Sequence, residues 1–247
     1  MSRIEVRNLF KSYSLKGKKL EVLHDISFTL EDNSFVTVVG KSGCGKTTLL
    51  RAMCNLEMVS QGSIRFVGDR GEEGLPKVSI VFQEPRLMPW LTVGQNILFS
   101  MARNLDKEYV KKTLDFYLNL LDLKDFKDAY PSQISGGMAQ RTALGRTLCF
   151  DPDVILMDEP FGDLDAFTRR NLQKELVNIF LSQKKTILFV THDVDEAIFL
   201  GQRVLVMDQG RLTREIEVNL TYPRDPLSKK CYMLREELLG LFSCSSQ

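Results

Sequence analysis

The sequence predicts an α/β fold centred on a parallel sheet covered on both faces. Three observations carry that prediction. From Asp153 onward, apolar strand-like runs alternate with helical ones, the pattern of parallel strands joined by helical crossovers. The N-terminal third alternates short β-rich runs with turns. Between these parts lies a stretch with apolar residues at three- and four-residue spacing, which reads as a mainly helical lobe over residues 87–148.

In chain order, residues 4–6, 22–30 and 35–39 are strand candidates, with the turn Asp32-Asn33-Ser34 before the third. Residues 62–67 and 78–82 continue the β pattern, and the charged, glycine-containing segment 68–74 reads as a hairpin loop between them. Residues 95–103 and 107–121 and the stretch after Ser135 read as helices. Tyr109, Leu114, Tyr117, Leu118 and Leu121 form the expected apolar stripe of the second. Then come a buried-type strand at 154–157, a helix at 167–181, a strand at 186–190, a helix at 194–200 and a strand at 203–207. Ligands bind beyond the carboxyl ends of such strands. The loops after Val39, Met157 and Val190 are therefore expected to converge on one site.

Composition narrows the function classes. The 247 residues are 43% hydrophobic and 26% charged, an ordinary globular balance that excludes collagen, coiled coil and wholesale disorder. Net charge is +1, so there is no global basic excess to recruit nucleic acid. No apolar run reaches the ~18 residues of a spanning helix, and the start reads as no signal peptide. Five scattered cysteines without CxxC spacing argue for a reducing compartment and against a zinc site or disulfide framework.

The loop after Val39 is Gly40-Lys41-Ser42-Gly43-Cys44-Gly45-Lys46-Thr47-Thr48. It fits GxxxxGK[ST] between an apolar strand and a helix-forming run, the context a phosphate-binding P-loop requires. Glycines let bare backbone N–H groups approach phosphate oxygens, and the following helix N-terminus adds partial positive charge. Lys46 brings a full charge toward the β and γ phosphates, and the Thr47 hydroxyl is placed to ligate Mg²⁺. Cys44 reads as a small space-filler open to alkylation.

Asp158 and Glu159 close an apolar strand, where carboxylates point into the crevice. Asp158 suits the Mg²⁺ shell, and Glu159 suits polarising an attacking water. His192 follows a third strand and is placed to contact the γ-phosphate or hold the water. Gln83 ends the strand at 78–82, where its amide reaches Mg²⁺ or water. Ser135, Gly136 and Gly137 open a helix, a second anion-binding surface by the dipole argument. His24 lacks a partner pattern and reads as structural.

Taken together, GKSGCGKTT, VFQEPR, ISGGM, ILMDEP, Asp163-Leu164-Asp165 and Thr191-His192-Asp193 make the chain resemble the ATP-binding subunits of ABC transporters, over roughly residues 4–211 and beyond. The resemblance implies a P-loop NTPase (RecA-like) core with an N-terminal antiparallel β subdomain and an inserted α-helical subdomain. The whole forms one ATPase domain over 1–247, with a tail at 218–247. It implies that Tyr13 stacks on adenine, that Gln83 couples nucleotide to a membrane partner, and that Ser135, Gly136 and Gly137 contact the γ-phosphate held by an opposite subunit. Asp158 takes the metal-associated role, Glu159 the catalytic base, His192 the switch and Asp165 the joining loop. ATP and Mg²⁺ are the implied cofactors. The implied partners are a second copy or homologue in an ATP sandwich, membrane permease subunits and, indirectly, an extracytoplasmic solute-binding protein. The implied location is peripheral, on the cytoplasmic face of the cell membrane, and no nucleic acid is implied.

The segment from Phe82 to Val93, with Glu159-Pro160-Phe161-Gly162, looks most like importers of the nitrate, sulfonate and taurine type. Trp90 reads as either an exposed anchor or a core residue. Four positions depart from the usual pattern: Met138, Ala139, Asp163 and Gly145. Gly145 is expected to cost its helix ~1 kcal/mol, and Asp163 puts a carboxylate near the dimer seam. Too little chain follows Arg211 for the regulatory barrel of sugar-type importers. Three other readings remain. A clamp of a soluble ABC-type machine is disfavoured by near-zero charge and a single cassette. A binding-only switch has no need of Glu159 and His192. An exporter is disfavoured by the absence of a fused membrane domain.

Overall fold

A computed structural model describes residues 2–15, 17–68, 76–101, 105–162 and 164–244. Its elements are two sheets and seven α-helices among the described residues. Strands β1 (Ser2–Leu15), β2 (Lys18–Leu30) and β4 (Gln61–Gly68) form an antiparallel sheet in the order β2-β1-β4. Strands β3 (Phe35–Val39), β5 (Val78–Val81), β6 (Val154–Asp158), β7 (Thr186–Thr191), β8 (Arg203–Asp208) and β9 (Arg211–Glu217) form the second sheet, ordered β5-β6-β7-β3-β8-β9. All its neighbours run parallel except β9, which returns antiparallel along β8.

Every residue of β3, β6 and β7 is buried, as expected of strands covered on both faces. Successive side chains then serve opposite layers. Ile155 and Met157 of β6 join Phe35, Phe161 and Phe189 in the core shared with the helical lobe and α5 (Ala166–Gln183). Val154 and Leu156 join Val38, Leu49 and Leu50 in the core beneath the antiparallel sheet and α1 (Lys46–Met53). Each fully buried Leu or Phe of this kind stabilises the fold by about 1.5–3 kcal/mol. A third cluster seats α7 (Lys229–Cys244) on α6 (Val194–Leu200) through Leu238, Cys231, Ala197 and Val206.

The helical lobe comprises α2 (Val93–Leu98), α3 (Lys107–Leu120) and α4 (Gly136–Cys149). Thr92 and Gln95 close a reciprocal capping box on α2, and the Asp106 carboxylate accepts from Glu108 and Tyr109 N–H on α3. Each arrangement satisfies donors the helix leaves open. Gly145 has a packing role in α4. A Cβ built there would lie 2.7 Å from Leu121 Cδ1 and 3.1 Å from Ile97 Cγ1, so the bare backbone is what lets α4 close on its neighbours. The ~1 kcal/mol of propensity lost to glycine is smaller than the 1–3 kcal/mol an overpacked core typically costs. Gly145→Ala is therefore expected to lower the melting temperature, by about 2–4 °C for a net ~1 kcal/mol in a chain of this size. A thermal melt that rises instead would reject the packing account.

Several sequence expectations change. Strands β4 and β5 lie in different sheets and do not pair with each other; of the segment read as a hairpin loop, 68–74, residues 69–74 lie outside the described residues. Tyr109 is 56% exposed while Leu114, Tyr117, Leu118 and Leu121 are buried. It precedes Leu114 by five positions, which turns it off the stripe. Phe167, at the start of α5, is likewise exposed. The stretch read as a tail carries α7. Asp163 lies outside the described residues. Among those residues, no helix is long and apolar enough to cross a membrane.

Candidate active site

The loops that follow β3, β6 and β7 meet at one end of the sheet because these strands are adjacent and parallel. The loop from Gly40 to Gly45 turns through left-handed backbone at Gly43 (φ 82°) and Gly45 (φ 107°) and enters α1 at Lys46. Gly45 must be glycine on two counts, since its φ is positive and an added Cβ would lie 2.9 Å from the Val22 carbonyl oxygen. The first-turn N–H groups of a helix have no intrahelical acceptor, so α1 presents donors toward the cleft.

Lys46 is only 4% exposed. Its ammonium donates to the carbonyl oxygens of Gly40 (2.8 Å) and Lys41 (3.1 Å) and lies 3.4 Å from Glu159 Oε1. Thr47 Oγ1 donates to Asp158 Oδ1 at 3.1 Å. The two hydroxyl and carboxylate oxygens expected to share a cation thus already occupy one spot. Burial pushes the Asp158 carboxyl above its usual pKa range, opposed by the Thr47 hydrogen bond and reinforced by the neighbouring Glu159 charge. Glu159 follows the last residue of β6 with φ 44°. Its backbone N–H donates to the Val190 carbonyl, and its Oε2 lies 2.6 Å from His192 Nδ1. Glu159 therefore stands between a buried ammonium and an imidazole that is more than half exposed.

A network holds the His192 loop. Thr191 Oγ1 donates to Glu196 Oε2 (2.7 Å) and accepts from Asp193 N–H. Gln173 of α5 donates to Glu196 Oε1 (3.0 Å). Burial raises the pKa of Glu196. Arg169 donates to the Leu164 carbonyl and lies 3.8 Å from Asp193 Oδ2, which links the loop after Glu159 to the loop of His192. Sequence reasoning missed Glu196 and Arg169. Glu196 reads as an ordinary first-turn acid of α6, and nothing in its spacing distinguishes it from Asp195.

The cleft at this end, about 260 Å³, is lined by Val22, Ser42, Gly43, Gly45, Lys46, Thr47, Thr48, Gln83 and Glu159. A larger cavity of about 540 Å³ lies between α5, α6 and α7, but no residue of the phosphate loop faces it. Tyr13, Ser135, Gly136 and Gly137 do not line the 260 Å³ cleft. Tyr13 sits on β1 beneath the Lys11 ammonium, 4.6 Å from the ring centre. Ser135 caps α4 by accepting from Met138 N–H. Lys41 turns away from the cleft, its ammonium donating to the Phe242 carbonyl in the last turn of α7 at 3.2 Å. Cys44 is buried, and burial pushes its thiol pKa up; this suits space-filling and does not suit a reactive thiol. Asp165 caps α5 by accepting from Phe167 and Thr168 N–H, bonds that lower its pKa. His24 Nδ1 lies 3.3 Å from Glu21 Oε2. Trp90 is 69% exposed.

A glycine-turned loop at a helix start, a buried lysine, a threonine–aspartate pair and a glutamate braced by histidine define a P-loop nucleotide hydrolase. The family model described as ABC transporter matches residues 23–162, and the chain belongs to that family, as one of its ATP-hydrolysing members. It is 43% identical over 241 residues to the aliphatic sulfonates import ATP-binding protein SsuB of Bacillus thuringiensis subsp. konkukian (strain 97-27), covering 97% of this chain and 95% of that one. It is 44% identical over 220 residues to aliphatic sulfonates import ATP-binding protein SsuB 2 of Pseudomonas syringae pv. tomato (strain ATCC BAA-871 / DC3000), covering 88% and 90%. Its fold superposes on the ATP-binding cassette MJ0796, solved as a dimer in a post-hydrolysis state bound to ADP and Pi. There the TM-score is 0.78 and the identity 28%, over 88% of this chain and all of the other.

Proposed function

We propose that this chain hydrolyses ATP between two copies, or between itself and a homologous subunit, to drive a membrane permease that imports a small sulfonate-type solute. The observation that carries the reading is the division of the site. Lys46, Thr47, Asp158, Glu159 and His192 are linked by direct contacts at the carboxyl end of the sheet, while Ser135, Gly136 and Gly137 open a different helix and do not line the cleft beside Lys46. A second subunit, turned head to tail, is what brings that helix start to the phosphate.

In this reading Gly40, Lys41, Ser42, Gly43, Cys44, Gly45, Lys46, Thr47 and Thr48 wrap the phosphates, chiefly through backbone N–H groups. Lys41 takes part through its backbone, its side chain being engaged by α7. Tyr13 stacks on the adenine. Thr47, Asp158 and Gln83 would hold Mg²⁺, since hydroxyl, carboxylate and amide oxygens are the hard ligands it takes. The ion would neutralise phosphate charge. Glu159 orients and polarises the attacking water and accepts its proton. His192 holds Glu159 from one side and Lys46 from the other, so its carboxylate is fixed before nucleotide arrives.

Hydrolysis removes the γ-phosphate bridge and the halves part, which moves whatever is docked on the helical lobe, residues 87–148. Trp90 and the apolar hollow of about 430 Å³ lined by Phe82, Met88, Phe99 and Phe150 support that lobe as the permease contact. An extracytoplasmic binding protein delivers the solute, and the chain works peripherally on the cytoplasmic face. The solute class follows the printed names of the relatives. It is tested by disrupting this chain in its host, which should abolish growth on an aliphatic sulfonate as sole sulfur source and spare growth on sulfate. Undiminished growth on the sulfonate would reject the solute class.

A further inference from the structure

Helix α6 begins two residues after His192 and spans only seven, Val194–Leu200, a length of about 10 Å. Its first turn holds the residues on either side of the imidazole's own position in the chain. Asp193 accepts from the N–H groups of Asp195 and Glu196, and Glu196 accepts from the Thr191 hydroxyl. A helix this short is marginal by itself, so what happens at its far end is felt at its near end. The carbonyls of a last helical turn lack intrahelical donors, and here they are met one by one. The Ala197 carbonyl accepts from the Gly201 N–H and the Thr37 hydroxyl. The Arg224 guanidinium donates to the carbonyls of Ile198 (2.5 Å) and Gly201 (2.6 Å) and, at greater length, of Phe199 (3.4 Å). The Tyr222 hydroxyl donates to the Leu200 carbonyl. Burial pushes that hydroxyl up to a pKa of about 12, which keeps it a donor. The same guanidinium lies 4.3 Å from the centre of the Tyr222 ring, and its Nε donates to the Leu220 carbonyl at 3.2 Å. Arg224 is only 6% exposed. Both residues belong to the stretch that the sequence reads as a tail.

We infer that Arg224, aided by Tyr222, is a positioning residue for ATP hydrolysis, closing the open end of α6 and thereby fixing the loop that sets His192 against Glu159. This rests on the role proposed above for His192. A cation at a helix C-terminus complements the helix dipole, and the Tyr222 ring face holds that cation in place. Without the guanidinium, the carbonyls of Ile198, Phe199 and Gly201 lose the donor that meets them, and buried acceptors left without one are costly. The last turn of α6 then shifts to find other donors. Two turns back, the shift reaches Glu196 and Asp193, whose bonds hold the His192 loop. The phosphate loop hangs between β3 and α1 and shares no bond with Arg224 among the described residues, so the hold on nucleotide is spared.

The test uses the full chain. Arg224→Met keeps a long stem and removes the charge and every donor. It should lower kcat for ATP, per folded chain, about tenfold, within the range that a misplacement of about 1 Å can cost. KM for MgATP should stay within about twofold, which separates positioning from binding. A second reading follows the imidazole itself. The chain has two histidines, His24 and His192, so their ring-proton NMR signals can be told apart with one substitution. Arg224→Met should move the His192 signal and leave that of His24, on β2, in place, a selectivity that general loosening of the fold would not show. Should Arg224→Met fail to fold, Tyr222→Phe, which removes one donor, decides by the same readings, with an expected fall in kcat of about threefold. A fall in kcat together with a moved His192 signal supports the inference, and either one at its parent value overturns it. His192→Ala separates this from the reading beneath it. If that variant turns ATP over at the parent rate, the role of His192 falls and the inference with it. If it loses turnover while the Arg224 variant keeps parent values, the inference alone falls.

Discussion

Glu159→Gln will lower ATP turnover by about 10²–10⁴-fold, the usual worth of a positioned general base, while leaving nucleotide bound and two subunits joined. The amide matches the carboxylate in shape, so the left-handed backbone at this residue is no more strained than before. It cannot accept the proton of the attacking water. Its loss of charge also frees Lys46 from a competing carboxylate 3.4 Å away, which strengthens the hold on the triphosphate. Phosphate release and gel filtration in MgATP measure the two halves of the expectation. Turnover within tenfold of the parent would remove Glu159 from the chemistry. A monomer at saturating MgATP would remove the trans site.

Lys46→Ala is expected to abolish useful ATP binding by a different route. The ammonium is buried and makes two charge-assisted bonds to the loop backbone. Its removal costs the phosphates their counter-charge and leaves Gly40 and Lys41 carbonyls without that donor. In the proposed reading the ammonium gives two bonds to phosphate oxygens when nucleotide is bound; hydrogen bonds to charged groups contribute about 1.5–3 kcal/mol each, so losing two weakens Kd by about 10²–10⁴-fold. A titration with a fluorescent ATP analogue that still saturates in the micromolar range would reject the role of the loop. Lys46→Met, which keeps the stem, separates lost charge from lost packing; both variants should fail alike if charge is what matters.

The sheet that positions these residues was legible because its central strands β3, β6 and β7 are buried and largely apolar and the site residues stand at their carboxyl ends, whereas the edge strand β9 is charged and mostly exposed. Adjacent parallel strands leave Lys46, Asp158 and His192 little choice but to meet. Other parts were hidden for physical reasons. Strand β1 runs the full length of Ser2–Leu15 but slips register between Val6 and Leu9, Leu9 and Lys11, and Lys11 and Ser12, which erases the alternation a strand shows. The partner of β4 cannot be read from neighbouring sequence, because a charged loop after a strand serves a hairpin or a crossover equally. In α7, Cys231, Leu234, Leu238 and Leu241 fall at three- and four-residue spacing and pack inward, but Tyr232, Met233 and Leu239 are apolar too and face solvent, which blurs the stripe in the sequence. The bonds from Gln140 to the Phe82 carbonyl and from Arg146 to the Pro85 and Arg86 carbonyls leave no trace in residue pattern, since any carbonyl will serve.

The bond from Lys41 to the Phe242 carbonyl joins two points 201 residues apart in the chain. In the proposed reading that bond makes the last turn of α7 a strut of the phosphate loop. A chain nicked within its final helix would keep every recognisable motif and still hold nucleotide less firmly, so an intact mass belongs among the criteria for any preparation whose affinity is to be compared with another.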